Sequence, residues 1–151
     1  MMSRVTVAFI AVALFSTSSF GQEKSAANCD YRRMDSILVV QANVPLYPPL
    51  AAQAHVSGTV DVRILVKGGS IVSADVIPGA HPILAAFAKG NVETWKFAPQ
   101  SYGDFCVRYV YELDKEESVG LSNSRVEVRF PDWVKITAAP PKPTCSDCTI
   151  D

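Results

Sequence analysis

Four cysteines are the residues of this chain best suited to chemistry, and Cys145 and Cys148 form a Cys-x-x-Cys pair. Such a pair becomes reactive when a helix N-terminus lowers the pKa of one thiol. Here it follows a proline-rich run at 140–143, which predicts a stiff tail instead of a helix. With Cys29 and Cys106 the count is even, which favours disulfides in a secreted chain. We expect no free thiol and favour Cys29 with Cys106 and Cys145 with Cys148, with a redox or metal-binding pair as the alternative.

Side chains that support catalysis do not form a known pattern. No serine lies in a Gly-x-Ser-x-Gly turn, and no glycine loop is built to hold phosphate. His55 and His81 lack the spacing of zinc ligands, and His81 stands before Pro82, as residues at a helix entry do. Glu116 and Glu117 lie in a polar loop and are typical of solvated charge. We therefore expect no enzymatic activity, no cofactor, no metal and no small-molecule substrate.

The first residues have the composition of a secretory signal. Arg4 supplies a positive start, 5–15 is an apolar run, and Gly21 supplies a small residue before a cleavage site at Gln22. The apolar run is shorter than the roughly 20 residues needed to span a bilayer. We expect residues 1–21 to be removed and the protein to be periplasmic. An uncleaved segment anchored in the inner membrane is the alternative.

The charge balance restricts the class of partner. The chain of 151 residues has 14 basic and 15 acidic residues, a net charge of −1, and no basic run. Nucleic acid is therefore not an expected partner. The length is enough for one domain with a substantial core.

Hydrophobic periodicity predicts the elements of the first half. Residues 36–44 are apolar and β-branched, which predicts an entry strand or an extended arm, and Pro48 opens a short helix over 48–55. Strands over 59–66 and 71–77 flank a glycine turn at 67–70. Alternation assigns these residues to the buried face: Val60, Val62, Ile64, Val66, Val72, Ala74 and Val76.

A second helix begins at Pro82, and a third strand covers 105–113. Gly90 lies inside this helix, where it costs about 1 kcal/mol relative to alanine unless it permits close packing. Residues 125–130 alternate again, and 133–137 can form a further strand. The apolar stripe of the helix consists of Leu84, Phe87, Ala88, Val92 and Trp95.

This order predicts an α+β fold with a small antiparallel sheet. The strands would lie in the order second, first, third, with two helices on one face. The expected organisation is a signal peptide (1–21), an N-terminal arm (22–44), a domain (45–113), a β extension (114–138) and a Pro/Cys tail (139–151).

The motifs between residues 45 and 99 follow one another in a distinctive order: Tyr-Pro, a short Ala-rich helix, a strand, a Gly-rich turn, a strand, and a helix that ends in Trp-x-Phe-x-Pro. This stretch resembles the C-terminal domain of the TonB energy-transducer family. The matching residues are Tyr47, Pro48, Ala51, Gly58, Val60, Val62, Val66, Gly69, Val72, Val76, His81, Pro82, Leu84, Trp95, Phe97 and Pro99.

The resemblance implies a binding module that accepts a peptide of an envelope protein as an added strand, for example from a TonB-dependent outer-membrane transporter. Tyr47 and Pro48 are candidates for recognition, or they orient the first helix. A structural or dimerising envelope module, forming a homodimer through the same edge, is the alternative. The partner-binding residues that it implies, on an exposed edge of the third strand, are Phe105, Val107, Tyr109, Tyr111 and Leu113.

An uncovered third strand would invite aggregation, and the chain contains a segment that could cover it. Residues 125–130 alternate apolar and charged side chains, and the loop 114–124 is long enough to turn back. We expect 125–130 to pair with 105–113, so that a partner peptide would have to displace it.

Overall fold

The computed structural model describes Cys29 and the ranges 37–115 and 125–141. Over these residues the chain forms two helices and seven strands, which confirms the predicted α+β class. The elements are β1 (Val39–Gln41), α1 (Pro49–Gln53), β2 (Gly58–Lys67), β3 (Ser70–Val76), α2 (Pro82–Val92), β4 (Lys96–Phe97), β5 (Tyr102–Leu113), β6 (Arg125–Arg129) and β7 (Trp133–Ala138). The predicted signal segment, Glu116, Glu117, Cys145 and Cys148 lie outside the described residues.

Strands β2 and β3 form the predicted hairpin around a two-glycine turn. Gly68 and Gly69 have φ of 59° and 77°, the left-handed conformation that both central residues of a type I′ turn require. A Cβ at Gly69 would lie 2.9 Å from the carbonyl oxygens of Phe97 and Ala98. Glycine at this position therefore serves both the turn and the close approach of the strand that follows α2.

A β-bulge changes the expected face of Val72. Ile71 pairs with Val66 and Ser73 pairs with Leu65, so Val72 is an extra residue in β3. Ile71 packs against the core in its place, and Val72 is 56% exposed. The prediction that Val72 faces inward is therefore wrong, because simple alternation does not survive an inserted residue.

The main sheet has five strands in the order β3-β2-β5-β7-β6, and β1 pairs with β4 in a separate two-stranded sheet. Strands β5 and β7 are parallel, and the other neighbours in the main sheet are antiparallel. The prediction of a small, purely antiparallel sheet is therefore wrong: the sheet has five strands, and one of its pairs is parallel. After β5 the chain forms the outer strand β6 first and then returns through β7 to fill the position between them.

One face of this sheet and the two helices enclose a single core. On α2 the buried residues are Leu84, Ala88 and Val92, which lie four positions apart. Phe87, expected in the same stripe, is 44% exposed because one helical step of about 100° moves it off that face. Gly90 has open space beside it, so close packing does not explain the glycine. Trp95 is buried, with 4% of its surface exposed.

The N-terminal arm is fixed to the domain at two places. Val39 of β1 pairs with Phe97 of β4, and the amide of Ala98 donates to the Leu38 carbonyl at 2.9 Å. Cys29 forms a disulfide with Cys106, with Cα atoms 5.4 Å apart, which confirms that pairing. No helix among the described residues has the length and apolar composition to cross a membrane.

The disulfide should supply a large share of the stability. It closes a loop of 77 residues. A loop of that length lowers the entropy of the unfolded chain enough to contribute about 4 kcal/mol. We expect the double variant Cys29→Ala, Cys106→Ala to lose about 2–4 kcal/mol in denaturant unfolding under oxidising conditions.

The double variant Cys145→Ser, Cys148→Ser is the matched control. A bond between residues so close in sequence closes a much shorter loop, so this variant should lose at most about 2 kcal/mol, and less than the first variant loses. Equal losses in the two variants, or no loss in the first, would contradict the account.

Candidate functional site

Strand β5, the predicted partner-binding edge, is in the middle of the sheet. It pairs with β2 from Tyr102 to Tyr111 and with β7 from Arg108 to Leu113. The prediction that β5 is an edge strand is therefore wrong. The segment 125–130 does not pair with it, and Trp133–Ala138 does.

Composition explains why β7 and not β6 lies beside β5. The core-facing residues of β7 are apolar and buried, and pair with core residues of β5: Val134 with Tyr109, and Ile136 with Tyr111. Strand β6 has three charged residues in its five, whereas β7 has only Lys135. A central strand has a neighbouring strand on each side, whereas charged side chains are common on edge strands. The more highly charged β6 is therefore the edge strand. This difference in charge is the sequence signal that could have placed the two strands correctly.

The side chains assigned to the β5 edge instead build the core. Phe105 and Val107 are buried, and Leu113 packs at the margin. The Tyr109 and Tyr111 rings are stacked, with centroids 6.3 Å apart. None of these side chains faces an open strand edge in the described structure.

Tyr47 and Pro48 are also buried, which favours the orienting role over recognition. The Tyr47 hydroxyl donates to the Val56 carbonyl at 2.6 Å, across helix α1. Its ring meets Tyr111 edge-on at 5.5 Å. These contacts fix the entry and exit of α1 against the sheet. His81 has a similar role at α2, because its Nδ1 accepts from the Ile83 amide at 3.4 Å.

Asn91 joins the helix, the sheet and the arm. Its Oδ1 accepts from the Tyr109 hydroxyl at 2.8 Å and from Trp95 Nε1 at 3.1 Å. Its Nδ2 donates to the Asn43 carbonyl at 2.9 Å. The Tyr111 hydroxyl is buried and has no hydrogen-bond partner among the described residues. The Asn91 side chain therefore satisfies the polar groups of Tyr109 and Trp95, but not that of Tyr111.

The open edge on this side of the sheet belongs to β6. The amides of Arg108 and Asp114 donate to the carbonyls of Asp132 and Ala138, both at 2.8 Å. Main-chain groups alternate sides along a strand. The even-numbered residues of β7 therefore direct their N–H and C=O groups to β5, and the odd-numbered residues direct theirs to β6.

The same alternation identifies the open groups of β6. Its residues opposite the odd-numbered positions of β7 are Arg125, Glu127 and Arg129. Val126 and Val128 therefore direct their N–H and C=O groups outward, where no described strand pairs with them.

An apolar row accompanies these open groups. Val126 and Val128 share the core face, since they pair with Ile136 and Val134. Val128 is 39% and Phe130 52% exposed. The Phe130 ring stands edge-on to Trp95 at 5.3 Å, so the end of the row is supported by the core.

A charged row occupies the other face of β6. Nε of Arg125 lies 3.4 Å from Oε1 of Glu127, and the Arg129 guanidinium lies 4.7 Å from the Trp133 ring centroid. Further along this face, Lys135 pairs with Glu112 at 2.8 Å and Arg108 with Asp61 at 2.8 Å. The face is solvated and its charges are largely paired, which suits a surface exposed to water.

The opposite edge of the sheet, β3, is a poorer template for a further strand. The bulge at Val72 interrupts its register, and such bulges protect edges against pairing. A groove of about 430 Å³ is lined by β3, by Lys89 of α2 and by Glu93, which caps that helix. Its walls are mixed in polarity, so the groove offers no continuous apolar row like that of β6.

The described residues contain no group of three His, Cys, Asp or Glu side chains that could hold a metal ion. Comparisons of the chain with known protein families, with curated proteins and with solved structures find no match.

Three buried tyrosines make the fold sensitive to alkaline pH. Burial raises the pKa of Tyr47 to about 12. Burial, with a smaller contribution from a neighbouring tyrosine, also raises the pKa of Tyr109 and of Tyr111. The unfolded chain ionises its tyrosines near the ordinary pKa of about 10. The free energy of unfolding should therefore hold below about pH 10 and fall as the pH rises toward the folded-state values, because only the unfolded chain releases these protons. Denaturant unfolding between about pH 8 and pH 11 measures this.

Two matched variants separate the hydroxyls at neutral pH. Tyr109→Phe removes a hydrogen bond to Asn91 and should cost about 0.5–1.5 kcal/mol. Tyr111→Phe removes a hydroxyl that has no described partner and should be close to neutral. Equal costs would contradict this assignment, as would stability that stays constant to about pH 11.

Proposed function

We propose that this protein is a periplasmic binding module of the TonB C-terminal-domain type. It captures an extended segment of an envelope protein, such as a TonB-dependent outer-membrane transporter, by strand addition. The added strand pairs with β6. The observation that carries the proposal is the pair of open main-chain groups at Val126 and Val128 beside an exposed apolar row.

The outer edge is a better site than β5 because β5 would first have to be uncovered. Displacing the β6–β7 hairpin exposes Val134 and Ile136, which are fully buried. Re-exposing each costs about 1.5–3 kcal/mol, before the parallel ladder is counted. A peptide that adds to β6 bears none of this cost.

Two observations support the periplasmic and family parts of the proposal. The Cys29–Cys106 disulfide is typical of a protein that folds in an oxidising compartment. The neighbouring strands β3, β2 and β5, with two helices packed into the same core, are compatible with the resemblance carried by residues 45–99. Binding is the whole of the proposed activity, and the partner is held without covalent change.

Val128→Pro tests the proposal directly. The Val128 N–H points outward, so proline removes a donor that a partner strand needs while the bonds to β7 remain. With a labelled peptide from the N-terminal periplasmic segment of a TonB-dependent transporter, fluorescence anisotropy should show affinity lowered about tenfold or more.

Val128→Thr is the control, since it keeps the N–H and the branched shape of the side chain. It should bind within about threefold of the unaltered protein, and both variants should keep its circular dichroism spectrum. Undiminished binding by a folded Val128→Pro variant would rule out strand addition at β6.

A further inference from the structure

The charged side chains on the solvated face of β6 alternate in sign, and their order is the same when the strand is followed in either direction. Arg125, Glu127 and Arg129 are exposed and share one face of the sheet. Val126 and Val128 separate them on the other face. The strand thus presents positive, negative and positive side chains at every second residue, with apolar side chains between.

We propose that this order selects the partner: an extended segment with acidic, apolar, basic, apolar and acidic residues in sequence. This inference rests on strand addition at β6. Side chains directly opposite each other on neighbouring strands interact, and like charges in these positions repel. Acidic residues therefore fit opposite Arg125 and Arg129, and a basic residue fits opposite Glu127.

The surrounding groups reinforce this choice. Lys135 lies opposite Glu127 on β7, but its ammonium pairs with Glu112 at 2.8 Å. Glu127 lies 3.4 Å from Arg125 of its own strand, but both side chains are at least half exposed and such a pair is weak, so the carboxylate can also meet a basic residue on the partner strand. Because the pattern is symmetric, a partner strand can meet it in either the parallel or the antiparallel direction.

The same symmetry rejects a second copy of this chain. Antiparallel pairing of two β6 strands centred on Glu127 places Arg125 opposite Arg129 of the other copy and the two glutamates opposite each other. A shift by two residues pairs opposite charges, but only three residues of each strand then overlap. The edge is therefore suited to a different chain, and its charges guard it against self-association.

Two synthetic peptides with identical flanks test the charge order. One has the core Asp-Val-Lys-Val-Asp and the other the reversed core Lys-Val-Asp-Val-Lys. In anisotropy titrations at low salt, the unaltered protein should bind the first at least about tenfold more tightly. The difference should shrink as salt is raised, because exposed charges are screened.

Charge variants should change the preference in a defined direction. The triple variant Arg125→Glu, Glu127→Lys, Arg129→Glu should favour the second peptide. The triple variant also places a lysine opposite Lys135, so Arg125→Glu alone, opposite the neutral Thr137, provides a milder test. It should narrow the preference at least about threefold. An unchanged preference in a folded Arg125→Glu variant would overturn the charge assignment.

The outcomes distinguish this inference from the proposal on which it depends. Equal binding of both peptides, abolished by Val128→Pro, would leave strand addition standing and overturn the charge order. A preference for the first peptide that survives Val128→Pro would overturn strand addition at β6. Binding of neither peptide would overturn the charge order. A dimer in sedimentation that Val128→Pro dissociates would overturn the claim that the edge rejects a second copy.

Discussion

The parallel pairing of β7 with β5 is the constraint on which the rest of the structure depends. It joins Arg108–Leu113 to Trp133–Ala138 and brings Val134 and Ile136 into the core beside Tyr109 and Tyr111. A parallel neighbour cannot follow through a tight turn, so the chain between the two strands must leave the sheet position and return. Strand β6 is part of that excursion, and it becomes the edge as a consequence.

A small set of contacts keeps this edge in place relative to the helices. Trp95 follows α2, meets Phe130 at the end of β6 and donates to Asn91. Asn91 in turn accepts from Tyr109 in β5. The end of the open edge is therefore connected to the core through one aromatic contact and the half-buried amide of Asn91. Such support favours a strand edge that is already ordered, which would lower the entropic cost of the proposed strand addition.

Local patterns in the sequence predict the individual helices and hairpins, but they do not predict which distant strands pair. The β2–β3 hairpin follows from alternation and a Gly-Gly turn, and the start of α2 follows from Pro82. The disulfide from Cys29 to Cys106 was among the pairings that the even cysteine count allowed. The bulge at Val72 was missed because alternation assumes an unbroken register.

The candidate site was predicted only in part, for a physical reason. The alternation of 125–130 identified β6 as a strand, but the nearest alternating segment was assumed to be the neighbour of β5. Which of two strands lies inside depends on the burial of both faces, and the three charges of β6 against the one of β7 decide it. Because of that difference the edge strand is β6 and not β5, and the open main-chain groups are those of Val126 and Val128.

Residue-resolved amide hydrogen exchange on the unliganded protein tests the central claim, that β6 is an ordered strand with one open side. The amides of Glu127 and Arg129 point to β7 and should be protected, whereas those of Val126 and Val128 should exchange faster. The β5 amides of Arg108 and the alternate residues that bond to β7 should be among the slowest. Equal protection of all β6 amides, or fast exchange at the β5 positions that face β7, would contradict the account.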